Sequence, residues 1–173
     1  MVADLPRHLV APVSVVIAVL AQVTLVARLP LPGGPVDIVV VLAAAFGFAR
    51  GAQSGLLVGL GAGALSDLLP PSDHALGRLA LAYAAAGWIA GWLDRPERLS
   101  PWFRLSVVAV SCAAAVTVYA VLGVLTSDAR VGGGDFVEAL VWVSVYGVVF
   151  ATAIVPLVCA LVRRFDRTPA LVG

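Results

Sequence analysis

Two acidic side chains, Asp37 and Asp67, stand at the ends of apolar segments of this 173-residue chain. Acids in or beside membrane-type segments are costly, and they commonly mark a site for an ion, a ligand or a partner. Asp37 precedes an apolar run, where its charge suits the positive N-terminal end of a helix. Asp67 follows an apolar run, where a helix dipole does not favour an acid, so we expect it to have a partner. Arg78 or His74 can supply that partner, and direct contact with a ligand or another protein is the alternative.

Sequence patterns that are typical of catalysis or of metal binding are missing. Ser54 lacks the glycine context of a nucleophilic serine, and no histidine lies inside another apolar segment. Cys112 and Cys159 fall in separate apolar runs and lack the ligand spacing of a zinc site. Phosphate-binding loops and paired acids of a proton relay are also missing. We therefore predict no catalytic residue, no cofactor and no metal.

The composition is that of an integral membrane protein. Hydrophobic residues make up 61% of the chain and charged residues only 12%, whereas a soluble domain is nearer one half and one quarter. The net charge of +1 and the lack of a basic stripe argue against a nucleic-acid partner. The length suits one bundle of about six spans of ~20 residues each, with little left for a soluble domain.

Six apolar segments predict one all-α domain over residues 1–173. The expected transmembrane helices are 9–27, 36–49, 52–69, 76–93, 105–125 and 136–162. The second is short, since its residues span only ~21 Å against ~30 Å of hydrocarbon. It can form a re-entrant hairpin with the third segment, but Arg50 at the tip would then lie deep in the membrane at a cost of at least ~2.5 kcal/mol. We therefore favour two full spans joined by a tight turn at Arg50 and Gly51.

The arginines predict the orientation. With six spans and a cytoplasmic N-terminus, the outer segments hold Arg28, Arg78 and Arg130. The inner segments hold the remaining arginines: Arg7, Arg50, Arg95, Arg98, Arg104, Arg163, Arg164 and Arg167. This excess of inner arginines predicts that both termini are cytoplasmic. Arg50, Arg95, Arg98, Arg163 and Arg164 are the expected anchors at the inner face of the bilayer.

Glycines recur at four-residue spacing on two of the predicted helices. The third carries Gly55, Gly59 and Gly63, and the fourth carries Gly87 and Gly91. Residues four apart share one face of a helix, and small residues on one face let membrane helices approach closely. These glycines predict helix packing, with the third helix against the second or the fourth.

The residues between 35 and 91 resemble the rod shape-determining protein MreD family. The resemblance rests on Pro35-x-Asp37, Arg50-Gly51, Gly55, Gly59, Gly63, Asp67-Leu68, Leu76-Gly77 and Tyr83-x3-Gly87-x3-Gly91. Chain length, six apolar segments and short loops also fit, and the last two helices match in character only. Residues 70–75, PPSDHA, depart from the glycine-containing outer loop that is common in the family.

The resemblance implies a non-enzymatic scaffold of the bacterial cell-elongation machinery, located in the cell membrane. Its expected partner is MreC, bound through the MreC transmembrane helix and membrane-proximal region. MreC in turn would connect it to the glycosyltransferase RodA and a class B penicillin-binding protein. The family is also similar in fold to the substrate-binding S-components of vitamin transporters. A subunit that captures a small vitamin-like ligand at the outer face is therefore the alternative function.

Overall fold

The computed structural model describes residues 9–24, 37–69, 76–94, 100–126 and 133–166. Those residues form six α-helices and no β-strand. The helices are α1 (Val10–Thr24), α2 (Ile38–Arg50), α3 (Ala52–Leu68), α4 (Arg78–Leu93), α5 (Pro101–Leu125) and α6 (Gly133–Asp166). The prediction of an all-α chain is confirmed for this part of the sequence.

The last two helices extend beyond the apolar segments that predicted them. α5 begins at Pro101 rather than at residue 105, with Ser100 preceding it. Proline suits the first turn of a helix, because its missing N–H would have no helical partner there. α6 runs from Gly133 to Asp166 and is continuous through Pro156. The predicted limits were set by hydropathy. Both helices continue past their apolar residues because the hydrogen bonds of a helix backbone do not depend on the hydropathy of its side chains.

α2 is the central helix of the bundle. Every residue from 39 to 48 is buried, and α2 contacts each of the other five helices. A helix that is apolar on all sides belongs in such an enclosed position. Its 13 residues are only ~20 Å long, and its middle is covered by protein.

α5 and α6 are long and apolar enough to cross a membrane. The stretches that are long and apolar enough are Trp102–Leu125 and Phe136–Phe165. In the most apolar 18 residues of each stretch, only 33% and 28% of the residues, respectively, are buried. The central helix of a soluble protein would be mostly buried, whereas these two expose apolar side chains along their length. α1 and α2 are apolar but shorter, at 15 and 13 residues.

α3 and α4 pack backbone against backbone along the glycine seam, which we define as Gly55, Gly59 and Gly63 of α3 with Gly87 and Gly91 of α4. A Cβ atom added at Gly55 would lie 2.2 Å from the Gly87 carbonyl oxygen. A Cβ atom added at Gly59 would lie 2.2 Å from the Tyr83 carbonyl oxygen, and one added at Gly63 would lie 2.4 Å from the Ala80 Cα atom. Real Cβ atoms essentially never make contacts shorter than 3.0 Å. Because the opposing atoms belong to the backbone, they cannot move aside as a flexible side chain would.

The seam continues to the turn between α2 and α3. A Cβ at Gly91 would lie 2.4 Å from the backbone nitrogen of Ala52, and one at Gly47 would lie 2.5 Å from the Gly87 carbonyl oxygen. Gly51 makes the turn with φ of 90°, a conformation that glycine adopts without the strain of a side chain. α2, α3 and α4 are therefore held together as one close-packed unit.

Replacing Gly59 by alanine should destabilise the protein, because the new methyl group meets the α4 backbone. We expect Gly59→Ala to lower the free energy of unfolding by about 1–3 kcal/mol, as overpacked core positions do. The matched control is Gly61→Ala, since Gly61 lies on the same helix and an added Cβ there meets nothing within 4 Å. The control should be neutral or more stable by up to about 1 kcal/mol.

Thermal unfolding and size-exclusion chromatography of the detergent-solubilised variants measure the difference. Equal stability of Gly59→Ala and Gly61→Ala would refute the close approach of α3 and α4.

Candidate functional site

Polar side chains gather at the end of the bundle where α2 and α4 begin and α3 ends. We call this group the polar cluster, and its members are Gln22, Asp37, Asp67, Arg78, Tyr83 and Tyr119. Asp67 and Arg78 are only 1% and 3% exposed, and Tyr83 is 5% exposed. Buried polar groups of this kind are costly unless they are hydrogen-bonded, so their partners decide what the cluster can do.

Asp67 projects from the last turn of α3 and caps the beginning of α4. Its Oδ2 atom accepts hydrogen bonds from the backbone N–H groups of Gly77 at 2.8 Å and Ala80 at 3.3 Å, and Oδ1 accepts one from Leu79 at 3.3 Å. The first N–H groups of a helix have no partner within the helix, and the positive end of its dipole attracts an acid. Asp67 thus lies at the unfavourable end of α3 and at the favourable end of α4.

Gly77 makes this capping arrangement possible. It precedes α4 with φ of 90° and ψ of −7°, in the left-handed region, where an ordinary side chain is strained. That conformation accompanies the turn by which the Gly77 N–H reaches the Asp67 carboxyl group.

Asp37 caps α2 in the usual way and also joins it to α4. Its Oδ1 atom accepts from the backbone N–H groups of Val39 at 3.1 Å and Val40 at 3.3 Å. Its Oδ2 atom accepts a short hydrogen bond from the Tyr83 hydroxyl. On the neighbouring α1, the Gln22 side-chain oxygen accepts from the Ile38 N–H at 3.0 Å, which satisfies another donor of the first α2 turn.

Arg78 connects the cluster to α5. Its Nε–H donates to the backbone carbonyl oxygen of Tyr119 at 2.8 Å, and its guanidinium carbon lies 3.6 Å from the centre of the Tyr119 ring. A cation over an aromatic face contributes about 2 kcal/mol or more when water is excluded. Asp67 accepts a hydrogen bond from the Ala80 N–H and Asp37 accepts one from the Tyr83 hydroxyl, so the two capping acids bind groups one turn apart on α4.

Every carboxyl oxygen of the two acids accepts at least one hydrogen bond. These contacts join α2 to α4 and α3 to α4, while Gln22 joins α1 to α2 and Arg78 joins α4 to α5. The arrangement can therefore fix the relative positions of five helices at one end of the bundle. As arranged, both acids bind groups of this chain.

The predicted topology anchors lie at the other end of the molecule. Arg50 is the last residue of α2, and Arg163 and Arg164 are exposed in the last turn of α6. The predictions for Arg95 and Arg98 fall outside the described residues, as do those for His74 and Pro35.

Several contacts were not foreseen from the sequence. Tyr83 entered only as part of a spacing pattern, although its hydroxyl lies beside Asp37. An ion pair between Arg104 and Asp94, with 3.5 Å between Nε and Oδ1, joins the start of α5 to the end of α4. A Cβ at Gly147 of α6 would lie 2.4 Å from the Cys112 sulfur of α5, which is a close helix contact that four-residue glycine spacing does not reveal.

Within the described ranges, no group of three or more His, Cys, Asp or Glu side chains is placed to hold a metal ion. Comparison with models of known protein families, with curated proteins and with solved structures finds no match.

Replacing Asp67 by asparagine should weaken the junction between α3 and α4. Both carboxyl oxygens accept backbone hydrogen bonds, so the amide nitrogen of the substituted side chain would face at least one N–H group that it cannot satisfy. A buried donor left without a partner costs about 1–3 kcal/mol, and we expect Asp67→Asn to lower the free energy of unfolding by that amount.

The matched control is Glu138→Gln, because Glu138 is an exposed acid on α6 and such changes usually stay within about 0.5 kcal/mol. Thermal unfolding in one detergent compares the two variants. If the Asp67 variant is as stable as the Glu138 variant, Asp67 does not cap α4.

Proposed function

We propose that this chain is an MreD-like, multi-pass protein of the bacterial cell membrane. In this proposal it acts as a scaffold of the cell-elongation machinery and binds MreC, which connects it to RodA and a class B penicillin-binding protein. It supports cell shape by assembling these proteins, and it has no catalytic step of its own.

The observation that carries the proposal is that the residues of the sequence motif are also the residues that make the helix contacts of the structure. Small residues are common in membrane helices, so glycine spacing by itself is weak support for a family resemblance. Here the motif glycines form the seam between α3 and α4, and the motif acids and tyrosine belong to the polar cluster. Most of the motif residues thus have a definite use in one unit of three helices, which supports reading them as the signature of a fold.

The charged residues support a scaffold over an enzyme or a ligand-binding subunit. A vitamin-binding subunit needs polar groups that face a cavity and are available to the ligand. Asp37 and Asp67 accept hydrogen bonds from backbone amides of this chain, and Asp37 also accepts one from Tyr83. No specific contact in the described part of the chain favours the transporter alternative, and the acids already have a structural use.

We further propose that all six helices cross the membrane, with both termini in the cytoplasm. α1 to α4 have 13 to 17 residues, or ~20–26 Å, which is shorter than the average hydrocarbon core. Short spans are accommodated by local thinning of the bilayer at modest cost, and α2 is enclosed by protein. Arg50, Arg163 and Arg164 at one end, and the excess of arginines in the same predicted segments, support this orientation.

Co-purification with MreC tests the proposed function. The tagged full-length chain is co-expressed with MreC from the same genome, extracted in a mild detergent and isolated by affinity and size-exclusion chromatography. We expect the two proteins to elute as one complex. The control is an MreC variant whose transmembrane helix is replaced by an unrelated single span, and it should associate much more weakly.

Failure of the native pair to associate, with each protein eluting as a folded species, would contradict the scaffold proposal. Equal association of the control would contradict recognition through the MreC transmembrane helix.

A further inference from the structure

A groove of about 320 Å³ opens between α5 and α6 at the end of the bundle opposite the polar cluster. Its walls include Val108 of α5 and Val155 of α6, and Arg104 and Cys159 also line it. The volume lies at the lower end of the range of about 300–1,000 Å³ that is typical of ligand pockets. The groove is thus large enough for part of a ligand and is largely apolar.

α6 carries a proline beside the groove. Pro156 lines the groove within α6, and proline has no N–H to donate while its ring crowds the carbonyl group four residues earlier. That residue is Thr152, a small side chain that also lines the groove and is exposed. α5 and α6 approach closely outside the groove lining, where Gly147 faces Cys112.

Positive charge gathers at one end of the groove. The Arg104 Nε atom is buried and, among the described residues, forms no hydrogen bond, although Asp94 lies 3.5 Å away and offsets part of its charge. The Arg104 side chain is 28% exposed. On α6, Arg163 follows the groove residue Cys159 by four positions and so lies on the same face of the helix.

We propose that this groove binds an anionic phospholipid, with one acyl chain along its apolar walls and the phosphate group at Arg104. α5 and α6 are the helices that are long and apolar enough to cross a membrane, so acyl chains are the apolar molecules that surround them. In a bilayer an apolar wall alone does not choose between lipids, because all of them offer similar chains. The guanidinium group can bind the phosphate through paired N–H groups. It selects among phospholipids by net charge, because basic pockets between transmembrane helices favour anionic head groups, whereas the choline cation of a zwitterionic lipid offsets its phosphate.

The lipid site is independent of MreC binding and requires only that α5 and α6 cross the membrane. An apolar helix of a partner protein is the competing occupant of such a groove. It would fill the apolar walls but would bring no negative charge to the Arg104 side chain, which is 28% exposed beside Asp94, whereas an anionic head group would. The charge at the groove end therefore favours the lipid.

Native mass spectrometry of the full chain tests the proposal. The protein is equilibrated in detergent with equal amounts of phosphatidylglycerol and phosphatidylcholine, and the lipids retained after release into the gas phase are counted. We expect the wild type to retain phosphatidylglycerol about fivefold over phosphatidylcholine, which is the size of the attraction between one arginine and an anionic lipid surface. Arg104→Gln should abolish the preference, and Arg164→Gln, at an exposed arginine outside the groove lining, should keep it.

A second pair of variants keeps the test decisive if the Arg104 variant does not fold. Thr152→Trp fills the groove and should reduce retention of phosphatidylglycerol to the level of phosphatidylcholine. Ala153→Trp places the same ring on the exposed neighbouring position, which does not line the groove, and should leave retention unchanged. Equal retention of the two lipids by the wild type would overturn the proposal, as would a preference that survives both Arg104→Gln and Thr152→Trp.

Discussion

The direct contact between the α3 and α4 backbones is the constraint on which the rest of the structure depends. Where Gly55 faces Gly87, either residue's added Cβ atom would lie 2.2 Å from the other's carbonyl oxygen. Contact this close gains packing energy from the many backbone and side-chain atoms that it brings together. It also brings the end of α3 to the beginning of α4, which is what allows Asp67 to reach the N–H groups of the next helix. The glycine seam and the polar cluster are thus two parts of one junction between α3 and α4.

α2 completes this unit from inside the bundle. Its apolar surface is covered on all sides, and its first turn is fixed by Asp37 and the Tyr83 hydroxyl. The opposite end of the molecule differs, because there the α5–α6 pair opens into a groove beside Arg104. One end is thus closed by satisfied polar groups, and the other offers positive charge and apolar walls to the surroundings.

The sequence predicted the helical class and the approximate position of each helix, because apolar run length and proline or glycine breaks are local signals. The four-residue spacing of Gly55, Gly59 and Gly63 also pointed to a helix contact before any partner was known. The sequence reasoning did not predict that Asp67 caps α4, because the helix-dipole argument considered only α3, the helix that carries the acid. The Tyr83–Asp37 and Arg104–Asp94 contacts each join residues of different helices or their ends, and they depend on how the helices cross.

Hydrogen exchange of the protein in lipid nanodiscs tests the central claim, that α2, α3 and α4 form the most tightly held unit. Backbone amides that open only with the whole structure exchange slowest. We predict that peptides covering residues 55–63 and 80–87 exchange together and more slowly than peptides from α1, which packs more sparsely against its neighbours. Exchange of the α3 and α4 peptides at the rate of α1, or at clearly different rates from each other, would contradict the account.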